Sequence, residues 1–225
     1  MSGFLNVARN AEFETGLFDI IVERLLCCSR LMKSACISTD TKINNNEEQI
    51  RNYLLEHYLN NDNINVGMGL VPLYLRFIPE APEKFTFETN TYVGRIDIKV
   101  VTENWFKCSS DYYIVECKRI DGSNDLNGKY VTEGISRFVV APVKYKSPHK
   151  RNIMFGFVVS AISITENVLK IDDLQRTILK EAIKTGLHEI KRDTNEYCVH
   201  SGLYFTGGSE LEIKHLFFDF SPILS

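Results

Sequence analysis

At 225 residues, with 44% apolar and 24% charged side chains, the chain is close to an average soluble globular protein and ample for one sizeable core, alone or with an appended helical segment. Its formal net charge of −3 excludes a protein coated in positive charge but leaves room for a local basic groove. The six cysteines contain no C-x-x-C pair, which excludes an evident zinc module or disulfide framework and points to reduced thiols in a cytosolic protein.

Arg9, Asn10, Glu12 and Glu14 interrupt the N-terminal stretch, so no signal-peptide core is expected. No apolar run approaches the roughly 20 residues of a membrane helix, and the expected location is the cytoplasm, with no membrane partner. Residues 15–36 carry Leu17, Ile20, Ile21, Leu25, Leu31 and Met32 at helical spacing, which predicts an amphipathic docking helix. The chain then divides into an N-terminal helical segment, 1–40, and a main domain, 41–225. Asn46 is a good N-cap for a helix over about 47–59 that buries Ile50, Leu54 and Tyr58. Glu47, three residues before Ile50, lies near the inward face, and Glu48 points further out; either can be the helix carboxylate.

Two strand-like segments follow, 70–78 and 84–89, with Pro79 and Pro82 between them. The stretch "VGRIDIKVV", 93–101, alternates, with Val93, Arg95, Asp97 and Lys99 on one face and Ile96, Ile98 and Val100 on the other. "YYIVECKRI", 112–120, is the next strand, 121–128 a loop, and 129–140 a helix. Residues 152–160 form a buried strand and 172–192 a charged-faced helix. The tail folds as a hairpin turning near Gly207 and Gly208. The order of elements indicates a mixed α/β domain.

The chemistry concentrates in "VECK". Along a strand Glu116 and Lys118 share a face, and pairing this strand with "GRIDI" brings Asp97 beside them. Two hard carboxylates at one point suit Mg²⁺ or Mn²⁺, and a bound ion of that kind polarises a phosphoryl oxygen and acidifies water. Lys118 can orient that water or neutralise developing charge, and Glu47 can support the metal through water. Cys117 faces the other side, although its backbone carbonyl can ligate metal. The rival reading is a surface ion pair of Glu116 with Arg95 or Lys99. Two further E-x-K triplets exist: Glu189–Lys191, in the predicted helix, and Glu212–Lys214, in a strand with no Asp strand before it.

This constellation resembles the PD-(D/E)XK, or restriction-endonuclease-like, nuclease superfamily. The resemblance is carried by Asp97 in "GRIDI", Glu116 and Lys118 in "VECK", and Glu47 on the first core helix. It covers roughly residues 46–160, with Ile96 standing where many members have Pro. It implies a mixed β-sheet flanked by helices and Mg²⁺-dependent endonuclease activity. In that family the Asp and Glu bind the metal, the Lys assists the water, and the helix Glu supports the site. From Lys118 to Arg151 eight Lys or Arg stand against three acids, a candidate phosphate-backbone track that includes Arg119, Arg137, Lys144 and Lys146. The runs "YVTEGISRFV", "KYKS", "MFGFVVS" and "EIKHLFFDF" look like the HamA-type nuclease of the Hachiman antiviral system. That resemblance implies a bacterial defence nuclease acting on DNA beside a helicase partner. The competing function is a catalytically silent subunit of the same fold that binds nucleic acid or a helicase.

Overall fold

A computed structural model of the chain describes residues 3–67, 75–82, 85–86, 90–92, 94–102, 108, 111–193 and 196–225. Helix α1 spans Gly3–Ser38, and α2 spans Glu47–Leu54 and continues as a π-helical turn, Leu55–Leu59. Short α3, Asp62–Gly67, precedes β1, Arg76–Pro82; β2, Phe85–Thr86, and β3, Thr91–Tyr92, pair with each other as a separate two-stranded sheet. Strands β4, Arg95–Val101, and β5, Tyr112–Ile120, lead into α4, Asn124–Lys129. That helix runs on as a π-helical segment, Tyr130–Ile135, and closes as α5, Ser136–Val139. Then come β6, Arg151–Val158, α6, Ile164–Ile178, and β7, β8 and β9 at Ile183–Asp193, Tyr197–Thr206 and Ser209–Asp219.

Seven strands form one mixed sheet in the order β1-β4-β5-β6-β9-β8-β7. The pairs β5–β6 and β6–β9 are parallel and the outer pairs antiparallel. Helices cover both faces, as the parallel centre requires. On one face α1 and α2 pack Ile21, Leu25, Ile50 and Leu54 against Val115, Cys117, Phe155 and Leu216. On the other, Val131, Ile135, Phe138 and Ile171 from the helices after β5 and β6 pack against Ile114, Met154 and Ile213. Each such fully buried aliphatic side chain contributes about 1.5–3 kcal/mol relative to exposure. Strand β5 therefore opens with an unbroken apolar run, Tyr112–Val115, because both its faces are dry there.

The mixed α/β sheet flanked by helices agrees with the sequence reading, and so does the hairpin, which turns on Gly207 and Gly208 at φ +54° and +77°. The expected docking segment packs into the first core from Leu17 onward, although Leu31 is exposed rather than part of the buried stripe. Several expectations need correction. The helix expected over 172–192 ends at Ile178, and 183–193 is an edge strand, because pairing with β8 overrides local helix preference. Residues 124–128, expected in a loop, are helical from the Ser123 cap, whose hydroxyl accepts from the Leu126 N–H. Pro79 and Pro82 lie within β1, which tolerates them as an edge strand. Strict alternation fails in β4: Ile98 and Val100 enter the first core but Ile96 the second. The expected strand positions 70–74 and most of 84–89, and Val93, lie outside the described residues.

Candidate active site

The site forms at the carboxyl end of β5, where β4 leaves it. The β4–β5 ladder runs from Val101↔Tyr112 to Ile98↔Val115 and stops. Beyond that point the Asp97 side chain takes over a backbone role, and its Oδ2 accepts from the Cys117 N–H at 2.8 Å. Across β4, Glu80 stands at φ +50° where the β1–β4 register skips a pair. Arg51 of α2 fills the gap, donating through Nη1 to Asp97 Oδ1 at 3.1 Å and through Nη2 to Glu80 Oε1 at 2.8 Å. Asp97 is thereby held from both sides, with both oxygens bonded.

Helix α2 delivers the next carboxylate. Asn46 caps it by accepting from the Gln49 N–H, and Glu47 occupies the first turn, where the helix dipole favours a negative charge. Glu47 Oε2 accepts from the Arg119 N–H at 3.2 Å, and Oε1 meets Lys118 Nζ at 3.1 Å. Glu48 lies outside the cluster, 61% exposed and 3.9 Å from Arg95. The choice between the two glutamates thus falls on Glu47.

Lys118 stands in the middle. Its ammonium donates to Cys117 O at 2.8 Å, Glu116 Oε1 at 3.0 Å and Glu47 Oε1 at 3.1 Å, with Asp97 Oδ2 at 3.9 Å. Burial alone would lower this ammonium, but Glu116, Glu47 and Asp97 more than reverse that and raise it above the usual lysine range. Glu116 is fully buried. Arg137 Nη1 donates to its Oε1 at 2.7 Å, and the Tyr145 hydroxyl lies 2.7 Å from Oε2. Burial, then the nearby Asp97, pushes the Glu116 carboxyl up to about 7 against the pull of Lys118, Arg137 and Tyr145. Lys118 is thereby kept charged, while the Glu116 carboxyl is pushed toward neutrality. A surface ion pair with Arg95 or Lys99 does not describe so buried a group.

Tyr145 ties the cluster to β4. Its oxygen is within 2.7–2.9 Å of Glu116 Oε2, Arg137 Nη1 and Arg95 O. A phenol has one proton, so it cannot donate to both Glu116 and Arg95 O. A protonated Glu116 resolves the conflict by donating to Tyr145, which then donates to Arg95 O. An ionised Glu116 takes the tyrosine proton itself.

The predicted residues Asp97, Glu116, Lys118 and Glu47 therefore converge, together with the Cys117 carbonyl. The Cys117 thiol points into the first core, and burial pushes it well above the usual thiol range. Of the expected backbone-binding residues, Arg119 is half-buried and donates through Nη1 to Asn45 O and Oδ1. Arg137 turns inward onto Glu116, and Lys144 and Lys146 are exposed on either side of Tyr145. Sequence reasoning missed Arg51 and Tyr145. The spacing of Arg51, one helical turn after Glu47, is the signal that was available for it. Among the described residues no group of three or more His, Cys, Asp or Glu is disposed to hold a metal as the side chains stand. The donor set itself is suited to one: three carboxylates and a carbonyl, all hard oxygens, surround the point where the ammonium sits.

Compared with protein-family models, with curated proteins and with solved structures, the chain matches none. No helix among the described residues is long and apolar enough to cross a membrane.

Proposed function

We propose that the protein is a Mg²⁺- or Mn²⁺-dependent nuclease of the PD-(D/E)XK type that hydrolyses phosphodiester bonds, with DNA as its substrate. One observation carries this reading: oxygens of Glu47, Asp97, Glu116 and Cys117 gather within 3.9 Å of a single cationic point, Lys118 Nζ. Asp97, Glu116 and the Cys117 carbonyl would hold the metal, with Glu47 at its outer side. A bound divalent ion supplies polarisation of a phosphoryl oxygen and acidification of water.

The chain's own groups do the rest. Arg51 and the Cys117 N–H fix the Asp97 carboxylate, so its oxygens need little reorganisation. Lys118, displaced from the centre, becomes a donor able to orient an attacking water or steady the charge that develops on phosphorus oxygens. Tyr145 and Arg137 hold Glu116 in place by donating to its two oxygens. The exposed Lys144 and Lys146 offer charge to a substrate backbone. The defence role and helicase partner rest on the HamA-type resemblance alone.

A second reading is favoured by Lys118 itself: an ammonium bonded to three oxygens in the middle of the cage suits a catalytically silent subunit that binds nucleic acid or a helicase. The test is incubation of purified protein with plasmid, linear DNA and RNA, with and without Mg²⁺ or Mn²⁺, beside Glu116→Gln and Lys118→Met. Metal-dependent cleavage lost in both variants, with their circular dichroism unchanged, is the expected result. Wild-type cleavage by both variants would overturn the assignment, and nucleic-acid binding without cleavage under any metal would establish the silent subunit.

A further inference from the structure

The cations of the site are not equally occupied. Arg51 spends all three guanidinium nitrogens, on Asn52, Asp97 and Glu80. Lys118 bonds to Cys117 O, Glu116 and Glu47. Arg137 differs. Its Nη1 donates to Glu116 Oε1 at 2.7 Å and Tyr145 Oη at 2.8 Å, which uses both Nη1 protons. Its Nε is buried with no acceptor, one of few such orphans among the described residues. The bonds of its guanidinium to other side chains run through Nη1, which leaves Nη2 uncommitted. The side chain as a whole is 26% exposed.

A buried N–H without a partner costs about 1–3 kcal/mol and calls for an explanation. The Nε and Nη2 protons of a guanidinium point the same way and form the fork that takes two oxygens of a phosphate side by side. On Arg137 this fork is unspent, while Nη1 pins the group against Glu116. We infer that Arg137 is a substrate-anchoring residue whose Nε–Nη2 edge takes the two non-bridging oxygens of a nucleic-acid phosphodiester beside Glu116. The phosphate approaches from the Nη2 side, and its second oxygen supplies the acceptor that Nε lacks.

This inference rests on the nuclease reading for the class of its ligand, but it needs no turnover to be tested. Arg137→Met and Arg137→Lys are compared with wild type by fluorescence anisotropy on a labelled DNA oligonucleotide in EDTA across a salt series. Mn²⁺ binding to the same three proteins is followed by calorimetry. Arg137→Met should weaken oligonucleotide binding roughly tenfold or more and flatten the slope of log affinity against log salt by about one. Arg137→Lys keeps the charge and a donor for Glu116 but has no fork, so it should restore the slope without restoring the affinity. The Mn²⁺ isotherms report separately on how far each variant still holds Glu116. If both variants bind the oligonucleotide as wild type does, with only Mn²⁺ binding altered, Arg137 merely holds Glu116 and the inference is overturned while the nuclease reading stands. If affinity falls as described but no metal ever supports cleavage, the anchoring role stands and the nuclease reading falls. A wild-type protein that binds no nucleic acid overturns both.

Discussion

Asp97, Glu116 and Lys118 were readable because their chemistry is local: a carboxylate and an ammonium two residues apart in an apolar strand leave few benign interpretations. Glu47 was readable from a cap and a helical face. Tyr145 was not, and Arg51 only through its spacing after Glu47, since their partners lie 29 and 46 residues away and only the assembled sheet brings the bonds about. Arg51 now carries a sharp expectation. It is nearly fully buried, and its removal would leave Asp97 without the donor on Oδ1 and Glu80 without its ion pair. Breaking a buried pair by deleting one partner costs about 3–5 kcal/mol, less here because Glu80 is partly solvated. Arg51→Met should therefore lose roughly 2–4 kcal/mol in guanidinium denaturation. The same variant should weaken Mn²⁺ binding, since Asp97 would be free to turn. Unchanged stability would show that the Asp97–Arg51 contact contributes little.

At the scale of elements, the sequence pattern was informative where one periodicity held and misleading where tertiary pairing decided. Residues 183–193 have a helical charge pattern but pair with β8 as an edge strand that is broken by bulges and lined with charge. Glu189 and Lys191 consequently sit on a strand, which removes the helical ground for setting that triplet aside. They remain far from the cluster in role, engaged with Arg192 and Glu23. The helical run after β5 raises a different point. Its π-helical segment, Tyr130–Ile135, brings Gly134 against Met154 and the Lys118 stem. A Cβ there would come within 2.4 Å of Met154 Cε and 3.5 Å of Lys118 Cγ. Met154 is the flexible neighbour and will give way, so Gly134→Ala should cost only about 1–3 kcal/mol. It should nonetheless lower metal-dependent cleavage, because the Met154 side chain that must move belongs to the residue paired in register with Glu116 and lies beside the Lys118 stem. Adding Met154→Ala makes room for the new methyl, and the double variant should recover cleavage that Gly134→Ala loses. No recovery, or no loss in the first place, would show that this close packing does not position Lys118.

Across the whole molecule, two buried groups in different parts of the fold give stability opposite dependences on pH. His215 lies between Tyr130 and Tyr204, with each ring nitrogen 3.0 Å from a phenol oxygen. Tyr204 donates its proton to Gln175 Oε1, so Nε2 carries the imidazole proton and Nδ1 accepts from Tyr130. That arrangement has no place for a second proton, and burial lowers His215 from 6.5 to about 3. Between those values the unfolded chain binds a proton that the native state does not. Stability should therefore fall as pH drops from 6.5 toward 3, by on the order of 5 kcal/mol at the limit. Glu116 acts the other way. Its carboxyl is raised from 4.5 to about 7, so the native state holds the extra proton in that window. The stability it contributes is complete below 4.5 and is lost as pH rises through 7. The two windows overlap from pH 4.5 to 6.5, where the opposing slopes nearly cancel, so denaturant midpoints measured from pH 3 to pH 9 should trace a plateau there that falls away below 4.5 and again from 6.5 to about 7. Glu116→Gln should remove the fall above 6.5 and unmask the His215 slope from 6.5 downward. If the proposed metal site is right, Mn²⁺ should also restore the alkaline side in wild type, because the ionised carboxylate that is costly alone would be a ligand, and it should do nothing for Glu116→Gln. An alkaline limb that neither the substitution nor the metal changes would show that Glu116 is not the group that titrates there.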